Sequence, residues 1–174
     1  MVGISNEKRR EKSMRDVERK LLDRVDTQIL DILQREVQIS NAEIARRVNL
    51  SPPATHTRIK RLESEGFIDK QVAILNPEKL GFDLLCYVFM STNIHQAKEL
   101  EALENSLKTM TEILECHCLT GEYDYLLKVI IRDRKELDSF IRKLNRMGIS
   151  RIQTNLSLRE IKYSTVLPIS EDKQ

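Results

Sequence analysis

Two helix-start signals, at Ser40 and Ser51, constrain this chain more than any other feature of its sequence. Ser40-Asn-Ala-Glu43 has the form of a capping box: the Ser hydroxyl accepts from the third amide and the Glu reaches back. Ser51-Pro52 is the second signal, because Ser is a good N-cap and Pro suits a first helical position whose amide is unpaired anyway. Ile44, Ala45 and Val48 give the first of these helices a face to bury. Asn49-Leu50 makes a tight turn. The next helix buries Thr55, Ile59 and Leu62 until Gly66 closes it in a left-handed cap. Upstream, Val25, Ile29, Leu30 and Leu33 recur at helical spacing behind Asp23 or Asp26 as the cap. Three short helices joined this closely read as a helix-turn-helix.

Beyond Gly66, Ile68 to Leu75 alternates loosely, as a strand does, and serves as a small wing or the start of a connector. Asn76-Pro77 and Gly81 break the chain, so the domain junction is placed at residues 76–81. The second half then reads strand, helix, strand, strand, helix, strand. Residues 84–92 are almost continuously apolar, as in a strand covered on both faces. A helix over 97–110 carries Leu100, Leu103, Leu107 and Met110. Residues 113–120 alternate, with Ile113, Glu115, His117 and Leu119 on one face and Leu114, Cys116 and Cys118 on the other. Residues 125–131 form the partner strand. Asp133 caps a helix that buries Leu137, Phe140, Ile141, Leu144 and Met147 and ends at Gly148, and Ile152, Thr154, Leu156 and Leu158 alternate in the last strand. The order is that of a ferredoxin-like βαββαβ domain. Its helices cover one face of the sheet; the other stays apolar, so a homodimer through that face is expected.

Composition excludes more than it selects. Of 174 residues, 40% are hydrophobic and 32% charged, enough for a core. The net charge of +2 rules out a polycation or an acidic tail protein. Its small excess lies in the charged stretch through Lys20, read as a solvated tail or as a basic arm on nucleic acid. Three Cys are too few for a disulfide framework. No stretch approaches a membrane span and the N-terminus has no apolar signal region, so a cytoplasmic protein with no membrane partner is expected.

Three groups of residues bear on function. The helix after Ser51 presents Ala54, His56, Thr57, Arg58, Lys60 and Arg61 outward or at its margin if Thr55, Ile59 and Leu62 face in. Short residues near its start allow close approach to bases, and its three cations reach guanines or phosphates; otherwise it is a solvated helix in a small bundle. Cys116-His117-Cys118 has a metal-like composition, but strand alternation sends the Cys pair one way and the His the other, so packing or pocket lining is the expected role, and no metal. Gly121-Glu-Tyr-Asp-Tyr125 is a strand–strand turn in which Asp124 and turn amides either hold the turn or bind the charged ends of a small amino acid. No nucleotide-binding or triad pattern occurs.

The segments LLDRVDTQILDILQ, ISNAEIARRVNLSPPATHTRIKRLESEGFI, ILNPEKLG, CLTGEYDYLLKV and LREIKYSTVLPI resemble, in order and spacing, the Lrp/AsnC family, the leucine- and asparagine-responsive regulators of bacteria and archaea, over about residues 20–169. The resemblance implies an α+β chain: a winged-type helix-turn-helix domain (21–67) and a β-linker (68–81), then a ferredoxin-like effector and oligomerisation domain (82–169). Residues 1–20 and 170–174 are tails. It implies double-stranded DNA as a partner, and dimers that assemble further into tetramers or octamers. It also implies an amino-acid effector between dimers, no other cofactor and no enzymatic activity. DNA contact is carried onto Ser51, Pro53, Ala54, His56, Thr57, Arg58, Lys60 and Arg61. Effector contact is carried onto Cys118, Thr120, Gly121, Glu122, Tyr123, Asp124, Arg134, Thr154, Asn155, Leu156 and Ser157. Pro53-Ala-Thr55 replaces the Thr-Pro-Cys of many relatives. Arg134 and Asn155 are polar where some leucine-responsive relatives carry Met and Tyr, which points to a polar or sulfur-containing effector. The alternative function is a small-molecule-binding or enzymatic ferredoxin-like domain with an accessory helical module.

Overall fold

The computed structural model describes residues 22–36 and 38–169, so both tails expected at 1–20 and 170–174 lie outside the described residues. The chain forms two compact units, one of residues 22–73 with 163–169, the other of residues 74–162.

The first unit holds three helices, α1 (Arg24–Arg35), α2 (Asn41–Arg47) and α3 (Pro52–Ser64). Asp23 caps α1 by accepting from the Asp26 amide at 2.8 Å, and the Asp26 carboxylate accepts from the Asp23 amide in return. Ser40 caps α2 through the Glu43 amide, but the return half of that expected capping box is missing. Glu43 turns instead to Arg46 at 2.7 Å and Arg47 at 2.9 Å, because two guanidiniums compete better for a carboxylate than one backbone amide. Ser51 caps α3 and Gly66, at φ 80°, ends it in the left-handed region where a side chain would be strained. Ile29, Ile44, Val48, Ile59 and Leu62 close the core between the helices, with Thr55 buried beside them.

Residues 68–76 form no strand, contrary to expectation; a lone extended segment has no ladder to join, and Val72, Ile74 and Leu75 stand exposed. From Tyr163 the chain belongs with the helical unit, where the Leu167 amide donates to Gln34 Oε1 at 2.8 Å and Gln34 Nε2 donates to the Leu167 carbonyl at 3.0 Å.

The second unit is α+β. Its elements are β1 (Leu84–Thr92), α4 (Ala97–Lys108), β2 (Ile113–Cys118), β3 (Tyr125–Ile131), α5 (Arg134–Asn145) and β4 (Ile149–Leu156). The antiparallel sheet has the order β2-β3-β1-β4, the ferredoxin-like arrangement. Cys86, Val88 and Met90 of β1 and Tyr125, Leu127, Val129 and Ile131 of β3 point to the helices, where Leu103, Leu107, Phe140 and Leu144 meet them. Leu85, Tyr87, Phe89, Leu126 and Ile130 lie on the opposite side of the same strands, none of them fully buried. Leu158, expected inside the last strand, follows its end and is 91% exposed.

A register shift between Ile113 and Glu115 divides β2 differently from the simple alternation expected. Ile113 joins the helix side with Cys116 and Cys118. These two thiols are exposed rather than packed, because β2 is an edge strand, whereas Cys86 on β1 is buried. His117 pairs with Glu115 on the other face, and among the described residues no three His, Cys, Asp or Glu side chains are grouped to hold a metal ion.

Candidate DNA interface and effector surface

At α3, the buried residues Thr55, Ile59 and Leu62 fix the outward direction, since successive residues turn by about 100°. Ser51, Pro53, Ala54, His56, Thr57 and Lys60 are exposed, as a DNA-reading face requires. His56 Nδ1 lies 3.1 Å from the Asn41 amide nitrogen, and Lys60 Nζ pairs with Glu63 at 2.8 Å.

Arg58 and Arg61 lie at the margin of that face, partly exposed, and each has an acidic partner. Arg58 Nη1 reaches Asp23 at 2.6 Å and Asp26 at 2.8 Å, and Arg61 Nη2 closes on the other Asp26 oxygen. Asp26 itself is 0% exposed. A carboxylate taken out of water needs this pairing: losing one partner of a buried ion pair costs about 3–5 kcal/mol, whereas an exposed pair such as Lys60–Glu63 contributes about 0–1 kcal/mol. The two guanidiniums are thus committed to α1, while Lys60 is free to exchange partners. Charge favours the arrangement: the Asp26 amide, then Arg58, hold the Asp23 carboxyl below its usual range. Helix periodicity alone did not anticipate this network, although its signal is in the sequence. Asp23, the cap of α1, and Asp26 stand three residues apart, as do Arg58 and Arg61 on α3, so each pair projects to one side of its helix.

The residues expected to contact an effector fall into separate groups within one chain. Cys118 ends β2 opposite Tyr125. Thr120 leads into the turn, and Gly121 adopts φ 138°, open to Gly and strained for other residues. Tyr123 packs on Phe89 at 5.4 Å between ring centroids, receives the Arg151 guanidinium over its ring at 4.7 Å and donates to Gln153 at 2.6 Å. Arg151 also pairs with Glu122 at 2.6 Å. Asp124 holds the turn onto β1: its Oδ2 accepts from the Thr92 amide at 2.8 Å, and its amide donates to the Met90 carbonyl at 3.0 Å. Tyr125 donates to Glu104 at 2.9 Å, and burial followed by that carboxylate pushes its phenol pKa up. Thr154, Asn155 and Leu156 lie on β4 opposite Val88, Tyr87 and Cys86, and the Ser157 amide continues that pairing to Leu85.

Arg134 is not near the turn. It opens α5 after Ile131, at the far end of β3 from Asp124, and a seven-residue strand separates its ends by roughly 20 Å. The turn and Arg134 therefore line two ends of the sheet rather than one cavity within a protomer.

Comparison with known proteins decides what these two units are. The family model for a winged helix-turn-helix DNA-binding domain matches residues 22–69, and that for the Lrp/AsnC ligand-binding domain matches residues 85–167. The chain belongs to the Lrp/AsnC family.

The leucine-responsive regulatory protein of Escherichia coli K12 is 38% identical over 152 residues, 85% of this chain and 92% of that protein. The DNA-binding transcriptional activator DecR of the same strain is 34% identical over 151 residues, 86% and 99% of the two chains. Among solved structures, a transcriptional regulator from Neisseria meningitidis in complex with L-Met superposes with a TM-score of 0.81 at 33% identity, over 86% of this chain and 97% of that one. An AsnC family transcriptional regulator from Agrobacterium tumefaciens also reaches 0.81, at 30% identity over 85% and 97%. This Lrp/AsnC chain is accordingly a DNA-binding transcriptional regulator with a ligand-binding domain. No described helix is long and apolar enough to cross a membrane.

Proposed function

We propose that the protein is an amino-acid-responsive regulator that binds double-stranded DNA as a homo-oligomer in the cytoplasm, without catalysing a reaction. The observation that carries this reading is the separation of the turn at Gly121–Asp124 from Arg134. A pocket using both ends of the sheet needs surfaces from neighbouring protomers, so ligand and assembly are linked. The apolar face bearing Leu85, Tyr87, Phe89, Leu126 and Ile130 supports a dimer through the sheets, with tetramers or octamers built from it. Ser51, Pro53, Ala54, His56, Thr57 and Lys60 meet the DNA, and Arg58 and Arg61 support them by anchoring α3 to Asp23 and Asp26 at α1. Cys118, Thr120–Asp124 and Thr154–Ser157 line the effector site.

The effector is a polar or sulfur-containing amino acid. Arg134 and Asn155 supply polar groups, and the Neisseria relative holds L-Met. Thermal-shift measurements with each of the twenty amino acids, followed by sizing and DNA binding for every hit, test the proposal. A ligand that raises Tm, shifts the oligomer and changes DNA affinity is expected. Monomers at all concentrations, with no amino acid altering Tm, would refute it.

A further inference from the structure

The outward stripe of α3 carries a chemistry that its three cations conceal. Opposite the buried residues Thr55, Ile59 and Leu62, helical geometry places Pro53, Thr57 and Lys60. Arg58 and Arg61 occupy the flank that meets α1, where Asp23 and Asp26 hold them. Ala54 is exposed and offers a single methyl. Thr57 Oγ1 donates to the Pro53 carbonyl at 3.0 Å, so its proton is used within the helix, and an exposed γ-methyl and oxygen lone pairs remain.

A helix-turn-helix sets the first residues of its recognition helix against base edges in the major groove. Guanine is read there by the forked donors of Arg or by Lys, whereas thymine is told from cytosine by its C5-methyl, which Ala, Thr and other apolar groups meet. We infer that α3 reads thymine C5-methyl groups through Pro53, Ala54 and the methyl of Thr57, and that its arginines do not read guanine. This deepens the assignment of α3 as the DNA-reading helix and rests on it. Lys60, the outward cation at the far end of the stripe, remains available to a phosphate.

The test selects duplexes from a random pool with the full chain, then replaces each thymine of the selected half-site with 2′-deoxyuridine, which removes the methyl alone. At least one replacement is expected to weaken binding about fourfold, the worth of one buried methyl. That penalty should vanish in Thr57→Ser or Ala54→Gly and survive in Thr57→Val. Replacing guanines with 7-deazaguanine, which removes the N7 acceptor, should leave affinity unchanged. Deoxyuridine without effect at every position, or a penalty that survives both methyl-removing variants, overturns the proposal. A loss on 7-deazaguanine also overturns it, by restoring guanine readout. If the chain binds no duplex at all, the assignment of α3 as the DNA-reading helix falls with it.

Discussion

The two units solve the problem of a small core in different ways. Among the described residues, the effector unit closes over thirteen buried apolar side chains from both layers of its sheet-and-helix fold. The helical unit closes over six, Ala45 among them, and sets a carboxylate, Asp26, fully buried at its edge between α1 and α3. A three-helix unit encloses little volume, so packing alone fixes the angle of α3 weakly. Directed ion pairs from Asp23 and Asp26 to Arg58 and Arg61 supply the missing geometry, and α3 is the helix proposed above to read DNA. The larger unit fixes its sheet by packing and leaves its charges at the surface.

That contrast can be broken by substitution. Phe140→Ala, emptying the centre of the effector unit, is expected to cost that unit about 4 kcal/mol with little dependence on salt, as read by urea unfolding. Asp26→Ala should cost the helical unit about 3 kcal/mol and weaken DNA binding, while hydrogen exchange in the sheet stays at its wild-type level. Equal loosening of both units would erase the distinction. Ser51→Ala removes the α3 cap and should cost about 1 kcal/mol by the same denaturation measurement.

Charge gives two further handles. In the helical unit, Arg46 and then Arg47 pull Glu43 down to about 2, and the Asp26 amide, then Arg58, lower Asp23. Carboxyls depressed on folding stabilise the folded state fully above their unfolded values, near 3.8 for Asp and 4.5 for Glu, and that contribution fades as pH falls through the folded values. Acid is therefore expected to loosen the helical unit between about pH 4.5 and about 2, read as loss of amide protection in α1–α3. The smallest effect concerns salt. Arg58→Ala should weaken DNA binding through the tilt of α3 yet leave the slope of log affinity against log salt unchanged, because no phosphate contact is lost. A slope reduced by about 0.9 would make Arg58 a phosphate ligand instead.

Signals that act over short spans of chain are legible in the sequence. The Ser40, Ser51 and Asp133 caps, the left-handed ends at Gly66 and Gly148 and the apolar periods of α4 and α5 depend on residues within a turn or two of each other. The same locality misleads at Glu43, where Arg46 and Arg47 displace the backbone partner. It misleads again at Ile113, where a bulge shifts the alternation. At residues 68–76, an alternating pattern has no neighbouring strand to join. Of the candidate site, the residue types on α3 and the turn at Gly121 are visible in the sequence. Which cations face outward and which effector residues lie together are not.

The sequence by itself determined the helix-turn-helix, the βαββαβ order and the family, because capping, periodicity and motif spacing are written along the chain. Only the tertiary structure decided that Arg58 and Arg61 serve Asp26. It alone decided that Arg134 stands a strand's length from Asp124, and that the chain from Tyr163 returns to the helical unit. Each of these depends on groups far apart in sequence. The energy of a buried carboxylate or the end of a strand is set by what folding brings beside it, and spacing along the chain does not encode that.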